Sequence, residues 1–459
     1  MSDEEVDHNN HWHLFRDNKL AAVLNARKFL LFESASNGSS HLKVFIQFYN
    51  FTSMDLEIAE IIGRFSDAMS HGGVSEVASL VKAEKSRVES VTVHVAVTGI
   101  PRVGKSAFIN SVMGFKDGED GAAPTGPDQQ VAKPAPYSRP GNPSSVFWEL
   151  PSIEGSNFSS SDYLKAVEID KYIGFFILSS TWFTQEAAAL ASELRRVGKQ
   201  FYFIRTKIDL NAPDYKNKKF TEDILRVVTA DNFANLDMEY ATAHFFCVSC
   251  HHVDRFDFLK CIQALQRNSS PPLQKHALLL SLYYLANKME LKDSMREFIP
   301  VSAVYSCVID PIPVEDLPYQ ANIHFLYDEI RLYRVLFELD HPALSKRAKL
   351  IRRPTSVLSD EIQTTMARVL TEEAVTEELL KWTENNAPVS NHYMKWIPFL
   401  ETLPGGKLPG ASTICLLDTM LEKFMDDAYR IQRKMINKIL FTYGTPAKCK
   451  DVFCHLNAF

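Results

Sequence analysis

Val91-Thr-Val-His-Val-Ala-Val-Thr-Gly-Ile-Pro-Arg-Val-Gly-Lys-Ser106 runs from alternating β-branched residues into a turn framed by two glycines. Val91, Val93, Val95 and Val97 alternate with Thr92, His94 and Ala96, the period-2 pattern of a buried strand. Gly99, four intervening residues and Gly104-Lys105-Ser106 match a phosphate-binding loop, and Ala107-Phe-Ile-Asn-Ser-Val-Met113 continues as a helix. Such a loop needs these residue types. Glycines let backbone amides face phosphate oxygens, the helix N-terminus favours negative charge, and Lys105 neutralises the terminal phosphates. Ser106 offers a hydroxyl to Mg²⁺. The bland alternative is a strand, a turn and a helix with a chance Gly-Lys-Ser, so further motifs must appear downstream.

Working outward, residues 91–267 alternate strand and helix, the signature of a largely parallel sheet covered on both faces. Strands are expected at 145–149, 169–179, 201–206 and 244–249, with an Ala/Leu-rich helix at 184–197. Residues 117–145 are rich in Gly, Pro and Ser and lack periodicity, so they read as one long functional loop, a candidate switch. Thr206-Lys207-Ile208-Asp209 follows directly on Phe201-Tyr-Phe-Ile204. A carboxylate at that position accepts hydrogen bonds from guanine N1 and N2, which adenine does not supply. The stem of Lys207 covers the base plane, and Ser249, ending the next strand, is a small residue beside it. A small-molecule kinase on the same kind of fold is disfavoured, because the Thr-Lys-x-Asp element selects a guanine nucleotide.

With both motifs in place, the chain resembles the immunity-related GTPases, interferon-inducible relatives of the dynamin-like enzymes. The resemblance covers roughly residues 55 to 440. It rests on Thr98-Gly99 through Asn110, Ala122-Ala-Pro-Thr-Gly126, Phe147-Trp-Glu-Leu-Pro151, Lys171-Tyr through Thr181, Gly198 through Asp209 and Leu278-Leu-Leu-Ser-Leu282. It implies a Ras-like P-loop GTPase domain inserted in an all-α helical domain made from both chain ends. The corresponding divisions are a poorly defined segment 1–54, N-terminal helices at 55–90, the G domain at 91–267 and C-terminal helices at 268–459. It also implies GTP-dependent self-association through the G domains and peripheral attachment to intracellular membranes in cell-autonomous defence. Lys105 places the chain among members with Gly-Lys-Ser rather than methionine at that position.

Carried over residue by residue, the resemblance assigns nucleotide contacts to Gly99, Val103, Gly104, Lys105, Ser106, Ala107, Thr206, Lys207, Asp209 and Ser249. Ser106, Thr125 and Glu149 would serve Mg²⁺, and Lys105, Ser106, Thr125, Glu149 and Ser152 would carry the chemistry on GTP. Two departures bear on that chemistry. The family usually has Asp-Leu-Pro-Gly where this chain has Glu149-Leu-Pro-Ser152, so the carboxylate is one methylene longer and a serine replaces the glycine whose amide meets the γ-phosphate. After Thr125-Gly126 stands Pro127-Asp-Gln-Gln-Val131 where Val-Val-Glu-Thr-Thr is common, so two threonines are missing. Two readings follow: a GTPase that turns over slowly alone and faster when G domains pair, or a nucleotide-bound scaffold with little or no turnover.

Composition fits this frame. The chain has 459 residues, 46% of them hydrophobic, enough for two to four domains with sizeable cores. A net charge of −6 argues against a nucleic-acid partner. No run of 18 apolar residues is present. The acidic start, Ser2 in place of the glycine needed for myristoylation, and a C-terminal Leu-Asn-Ala-Phe without a prenylatable cysteine carry no targeting or lipid signal. Seven cysteines, an odd number without a framework, fit reduced thiols in the cytoplasm. Cys247-Val-Ser-Cys250-His251 matches a haem-attachment spacing, but it reads as a strand end with no second ligand pair nearby and is set aside.

Flanking the α/β region, the pattern is helical. Leu56, Ile58, Ile61, Ile62, Phe65 and Met69 form one apolar face, Gly72-Gly73 supplies a stop, and a second helix is expected at 74–88. Apolar spacings of three and four recur at 275–292, 321–339, 360–385 and 413–441, with Pro404 to Pro409 as a loop. In the last helix Leu417, Met420, Leu421, Phe424, Met425 and Ala428 share a face that is core or a partner groove. Lys346, Arg347, Lys349, Arg352 and Arg353 form a solvated helix end or a contact for anionic lipid, at ~1 kcal/mol per cation. Residues 28–32 and 42–49 are apolar runs compatible with strand or helix.

Overall fold

A computed structural model describes residues 53–126, 131–139, 142–154, 158–181, 183–211, 244–253 and 256–443. The runs at 28–32 and 42–49 and the Pro127 to Gln130 portion of the long loop lie outside the described residues. Six strands form one sheet: β1 Val93–Gly99, β2 Ala135–Arg139, β3 Asn142–Glu149, β4 Gly174–Ser179, β5 Gln200–Arg205 and β6 Phe245–Cys247. Their order is β2-β3-β1-β4-β5-β6, parallel throughout except for the antiparallel edge strand β2. Central β1 and β4 are buried along nearly their whole length, which is why they read as continuous hydrophobic runs.

Helices α1 Ser53–Ser90, α2 Lys105–Met113, α3 Ser160–Ala166, α4 Gln185–Arg196, α5 Phe258–Asn268 and α6 Pro272–Ser281 come next in chain order. One face of the sheet packs Phe108, Ile109 and Val112 of α2 and Phe258, Ile262 and Leu265 of α5 against Val95, Val97 and Phe176. The other packs Leu164 of α3 and Leu190, Ala191 and Leu194 of α4 against Ala96, Phe175, Ile177 and Phe203. Thr184 caps α4, its hydroxyl accepting from Ala187 N.

The remaining main helices are α7 Lys288–Arg296, α8 Ile299–Val308, α9 Ile323–Leu336, α10 His341–Leu350, α11 Glu372–Glu384 and α12 Lys407–Tyr443. Ile61, Phe65, Val77 and Val81 of α1 share a single core with Leu417, Met420, Leu421 and Phe424 of α12 and with Val304 of α8. The helical core is therefore built from segments on both sides of the α/β region, and the Met/aromatic face of α12 is core. Within α1 the helical dihedrals are interrupted at Gly73, so the two expected helices meet at a kink.

Four expectations are corrected by the structure. Residues 117–145 are not one irregular loop, because β2 lies inside them; its Pro136 is tolerated on an edge strand, where one side of the ladder has no partner. The strand expected at 169–179 starts only at Gly174, after a tight turn at Ile169–Lys171. The helix expected at 275–292 is split, since the Asn287 side chain accepts from Met289 N and Glu290 N and starts α7 afresh. The helix expected at 360–385 is also broken. Asp427 accepts from Gln363 N and Thr364 N, and Thr371 caps α11. In addition, Lys407 to Pro409 belong to the first turn of α12, where proline costs no helical hydrogen bond.

Helix α6 stands between the two cores. Ala277 and Leu278 face the sheet, Leu279 faces the helical core, and the Tyr284 hydroxyl just beyond donates to Val112 O at 2.6 Å. His276 is buried in the same helix with Nδ1 2.9 Å from Ser294 Oγ and its ring against Phe298. Burial lowers its pKa to about 3. Below its unfolded value near 6.5, the unfolded chain gains a proton that the folded chain refuses, so stability falls with pH by up to ~1.4 kcal/mol per unit. Urea unfolding at pH 7 and pH 5 should therefore show wild type losing ~2 kcal/mol more than His276→Gln. Equal losses would mean that His276 is not buried as the neutral ring.

Candidate nucleotide site

The ends of β1, β3, β5 and β6 bring the sequence-selected residues to the carboxyl edge of the parallel sheet, where loops of open α/β sheets hold ligands. β1 closes on Gly99, whose φ is 148°; a Cβ there would lie 2.3 Å from Leu178 O on the neighbouring strand. Only glycine permits that approach. At the other end of the loop Gly104 has φ 91° and caps α2 in a left-handed conformation without any side-chain cap. Its carbonyl takes the first helical bond from Phe108 N at 2.9 Å. No acidic residue sits in the first turn of α2, so its amides face the loop with their positive end uncompensated by charge.

Lys105 is only 7% exposed, and its Nζ donates to Ser152 Oγ at 2.9 Å. Burial holds its pKa below the usual lysine range, against the opposing pull of Glu149 and Glu154. Ser106 Oγ donates to Glu149 Oε2 at 2.8 Å. Glu149 is 3% exposed, and burial raises its pKa against the Ser106 hydrogen bond and the Lys105 charge. A hydroxyl and a carboxylate oxygen thus meet beside a buried ammonium. Hard oxygen donors of this kind fit Mg²⁺.

The loop after β3 is clamped on both sides of Ser152. Leu150 N donates to Val97 O at 2.9 Å and Ile153 N to Gly99 O at 3.1 Å. The Tyr163 hydroxyl, from α3, donates to Pro151 O at 2.8 Å and lies 2.6 Å from Thr98 Oγ1. Since that hydroxyl has one proton, Thr98 must be the donor in the shorter contact. Thr125 stands apart. It is exposed, and among the described residues it makes no hydrogen bond to Ser106 or Glu149. The segment leading to it is fixed by Asn110, which accepts from Ala123 N at 2.7 Å and donates to Ala123 O at 2.9 Å.

The Thr206 to Asp209 segment is tied directly to the loop between Gly99 and Ser106. Thr206 Oγ1 donates to Val103 O at 2.6 Å, Thr206 N donates to Ser179 O at 2.8 Å, and Lys207 Nζ donates to Arg102 O at 2.8 Å. The stem of Lys207 crosses Gly104, where an added Cβ would lie 3.9 Å from Lys207 Cε. Two buried polar atoms here have no protein partner among the described residues, Asp209 Oδ1 and Ser249 Oγ. An unsatisfied carboxylate oxygen is costly when buried, so its position marks a place for a donor-bearing ligand. Ala107 follows Ser106 in the first turn of α2.

Residue-level reading from sequence missed Thr98, Asn110 and Tyr163. Asn110 was detectable as a lone amide among the apolar residues of α2. Tyr163 had no local signal, because its two partners are distant in the chain and meet only when α3 packs on the sheet.

The model for the family described as "Interferon-inducible GTPase (IIGP)" matches residues 58–401. Interferon-inducible GTPase 5 of Rattus norvegicus is 28% identical over 378 residues, covering 81% of either chain. T-cell-specific guanine nucleotide triphosphate-binding protein 2 of Mus musculus is 28% identical over 379 residues, covering 80% of this chain and 87% of that one. Interferon-inducible GTPase 1 of Mus musculus is 27% identical over 297 residues, covering 63% of this chain and 72% of that one. With its family model spanning most of the sequence and its α/β sheet joined to a helical core, the chain belongs to the interferon-inducible GTPase family.

Proposed function

We propose that this guanine-nucleotide-binding protein hydrolyses GTP to GDP with Mg²⁺, associates with copies of itself through its sheet-containing domain, and acts at the surface of intracellular membranes in interferon-linked defence. The proposed domain limits are those expected from sequence, 55–90 and 268–459 for the helical part around 91–267. The observation that supports the nucleotide chemistry best is the meeting of Lys105, Ser106, Glu149 and Ser152, with the loop before them tied to the Thr206–Lys207 segment and Asp209 Oδ1 and Ser249 Oγ left buried without a partner among the described residues. The similarity to interferon-inducible GTPases supports the interferon-linked context. Among the described residues no helix is long and apolar enough to cross a membrane, so attachment in this reading is peripheral.

Each residue then has a distinct task. Backbone amides of Gly99 to Ala107 receive the phosphates, with Val103 fixed by Thr206. Lys105 neutralises charge on the terminal phosphates, and its burial strengthens that interaction relative to water. Ser106 and Glu149 would hold Mg²⁺, with Thr125 joining them; when bound, the ion would neutralise charge on the terminal phosphates. Ser152 faces the γ-phosphate end. Asp209 reads guanine N1 and N2, Lys207 covers the base plane, and Ser249 supports it. A second reading, a nucleotide-bound scaffold with little turnover, is favoured by the exposed Thr125 and by the contact of Ser152 with Lys105.

Two measurements test these readings. GTP turnover by purified full-length protein should rise per molecule with protein concentration and vanish in Lys105→Ala. Tight GTP binding with no turnover at any concentration would favour the scaffold. Asp209→Asn should weaken GDP binding roughly 100-fold, since two charge-assisted hydrogen bonds are lost or inverted. An unchanged GDP affinity would remove Asp209 from the base site.

A further inference from the structure

Ser152 stands where a glycine amide serves the γ-phosphate in the resemblance described above, and its side chain is placed with care. The loop cannot swing freely, because Pro151 O is held by the Tyr163 hydroxyl and Ile153 N by Gly99 O, one residue to each side. Between these clamps the Ser152 hydroxyl accepts a hydrogen bond from the Lys105 ammonium at 2.9 Å. Lys105 is itself buried, and Glu149 occupies the neighbouring space through its bond to Ser106. The ammonium has three donors and no acceptor, so an acceptor already bound to it competes with any phosphate oxygen that needs the same direction.

We infer that Ser152 sets the preference of this site for a nucleoside diphosphate over a triphosphate, acting as an internal acceptor that a γ-phosphate must displace from Lys105. The inference rests on the nucleotide reading of the site. A diphosphate leaves the Lys105–Ser152 contact intact, because the β-phosphate can use the loop amides and a second proton of the ammonium. A triphosphate brings a further set of anionic oxygens to the place held by the Ser152 hydroxyl. The clamps at Pro151 and Ile153 keep that hydroxyl from withdrawing with its loop. Exchange of one hydrogen-bond acceptor for another on a charged donor then costs the triphosphate part of its binding energy.

The test uses the full chain, Mg²⁺, GDP and guanosine 5′-(βγ-imido)triphosphate in parallel titrations. Wild type should bind GDP more tightly than the triphosphate analogue. Ser152→Ala, which removes only the hydroxyl, should tighten the analogue by about fivefold to tenfold while leaving GDP within about twofold. Ser152→Gly should move in the same direction, and Ser152→Thr, which retains a hydroxyl, should behave as wild type; thermal unfolding midpoints identify any variant that has lost its fold. Equal changes for both nucleotides, or a selective loss of the analogue in Ser152→Ala, would overturn the inference, the second result making the hydroxyl a donor to the γ-phosphate. If wild type binds neither guanine nucleotide while remaining folded, the underlying nucleotide reading fails, and this inference with it.

Discussion

The hydroxyl of Thr206 donates to the carbonyl of Val103 across 2.6 Å, and the ammonium of Lys207 donates to the next carbonyl back, that of Arg102. These bonds join the end of β5 to the middle of the phosphate loop. The Thr206 bond is buried and the Lys207 bond is solvent-exposed, so breaking the first is the costlier of the two. The loop that carries Lys105 is thereby tied to the segment that carries Asp209. Everything that the sheet does for the site passes through this seam: β1 delivers Gly99, β5 delivers Thr206, and β6 brings Ser249 alongside.

Around Lys105 the geometry is set by two side chains that differ from the pattern usual in the resembling family. Glu149 has the extra methylene, yet its carboxylate reaches Ser106 at 2.8 Å, so the longer side chain is accommodated from the end of β3. Ser152 uses its hydroxyl on Lys105 while its neighbours in the chain are held by Gly99 and Tyr163. Burial acts in opposite directions on the two charged groups, disfavouring the cation at Lys105 and the anion at Glu149. Their mutual attraction opposes both effects. A phosphate and its counterion entering this space would meet groups that are already desolvated and oriented, which is the condition for strong electrostatic stabilisation.

Much of this was legible from local patterns. The Val91 to Val97 alternation, the glycine-framed loop and the apolar faces of α1 and α12 all depend on residues close in sequence, and each became the expected element. Thr206 to Asp209 likewise follow directly on their strand, as expected, and lie against the loop that starts at Gly99. What escaped reading depends on strand pairing and on side-chain caps and contacts that periodicity does not reveal. β2 was hidden because Pro134 and Pro136 resemble loop punctuation, and only pairing with β3 makes Ala135–Arg139 an edge strand. The breaks within 275–292 and 360–385 follow from Asn287 and Asp427 outcompeting helical bonds for backbone amides, the second from more than sixty positions away. Tyr163 belongs to the same class.

The central claim is that the residues from Gly99 to Ser106 and from Thr206 to Asp209 together hold a guanine nucleotide. Calorimetric titration of the purified full-length chain with GDP and with ADP, each with Mg²⁺, addresses it most directly. The account predicts one GDP bound per chain and no measurable heat from ADP at the same concentrations, because the Asp209 carboxylate finds no paired donors on adenine. Binding of ADP as tightly as GDP, or of neither by folded protein, would contradict it.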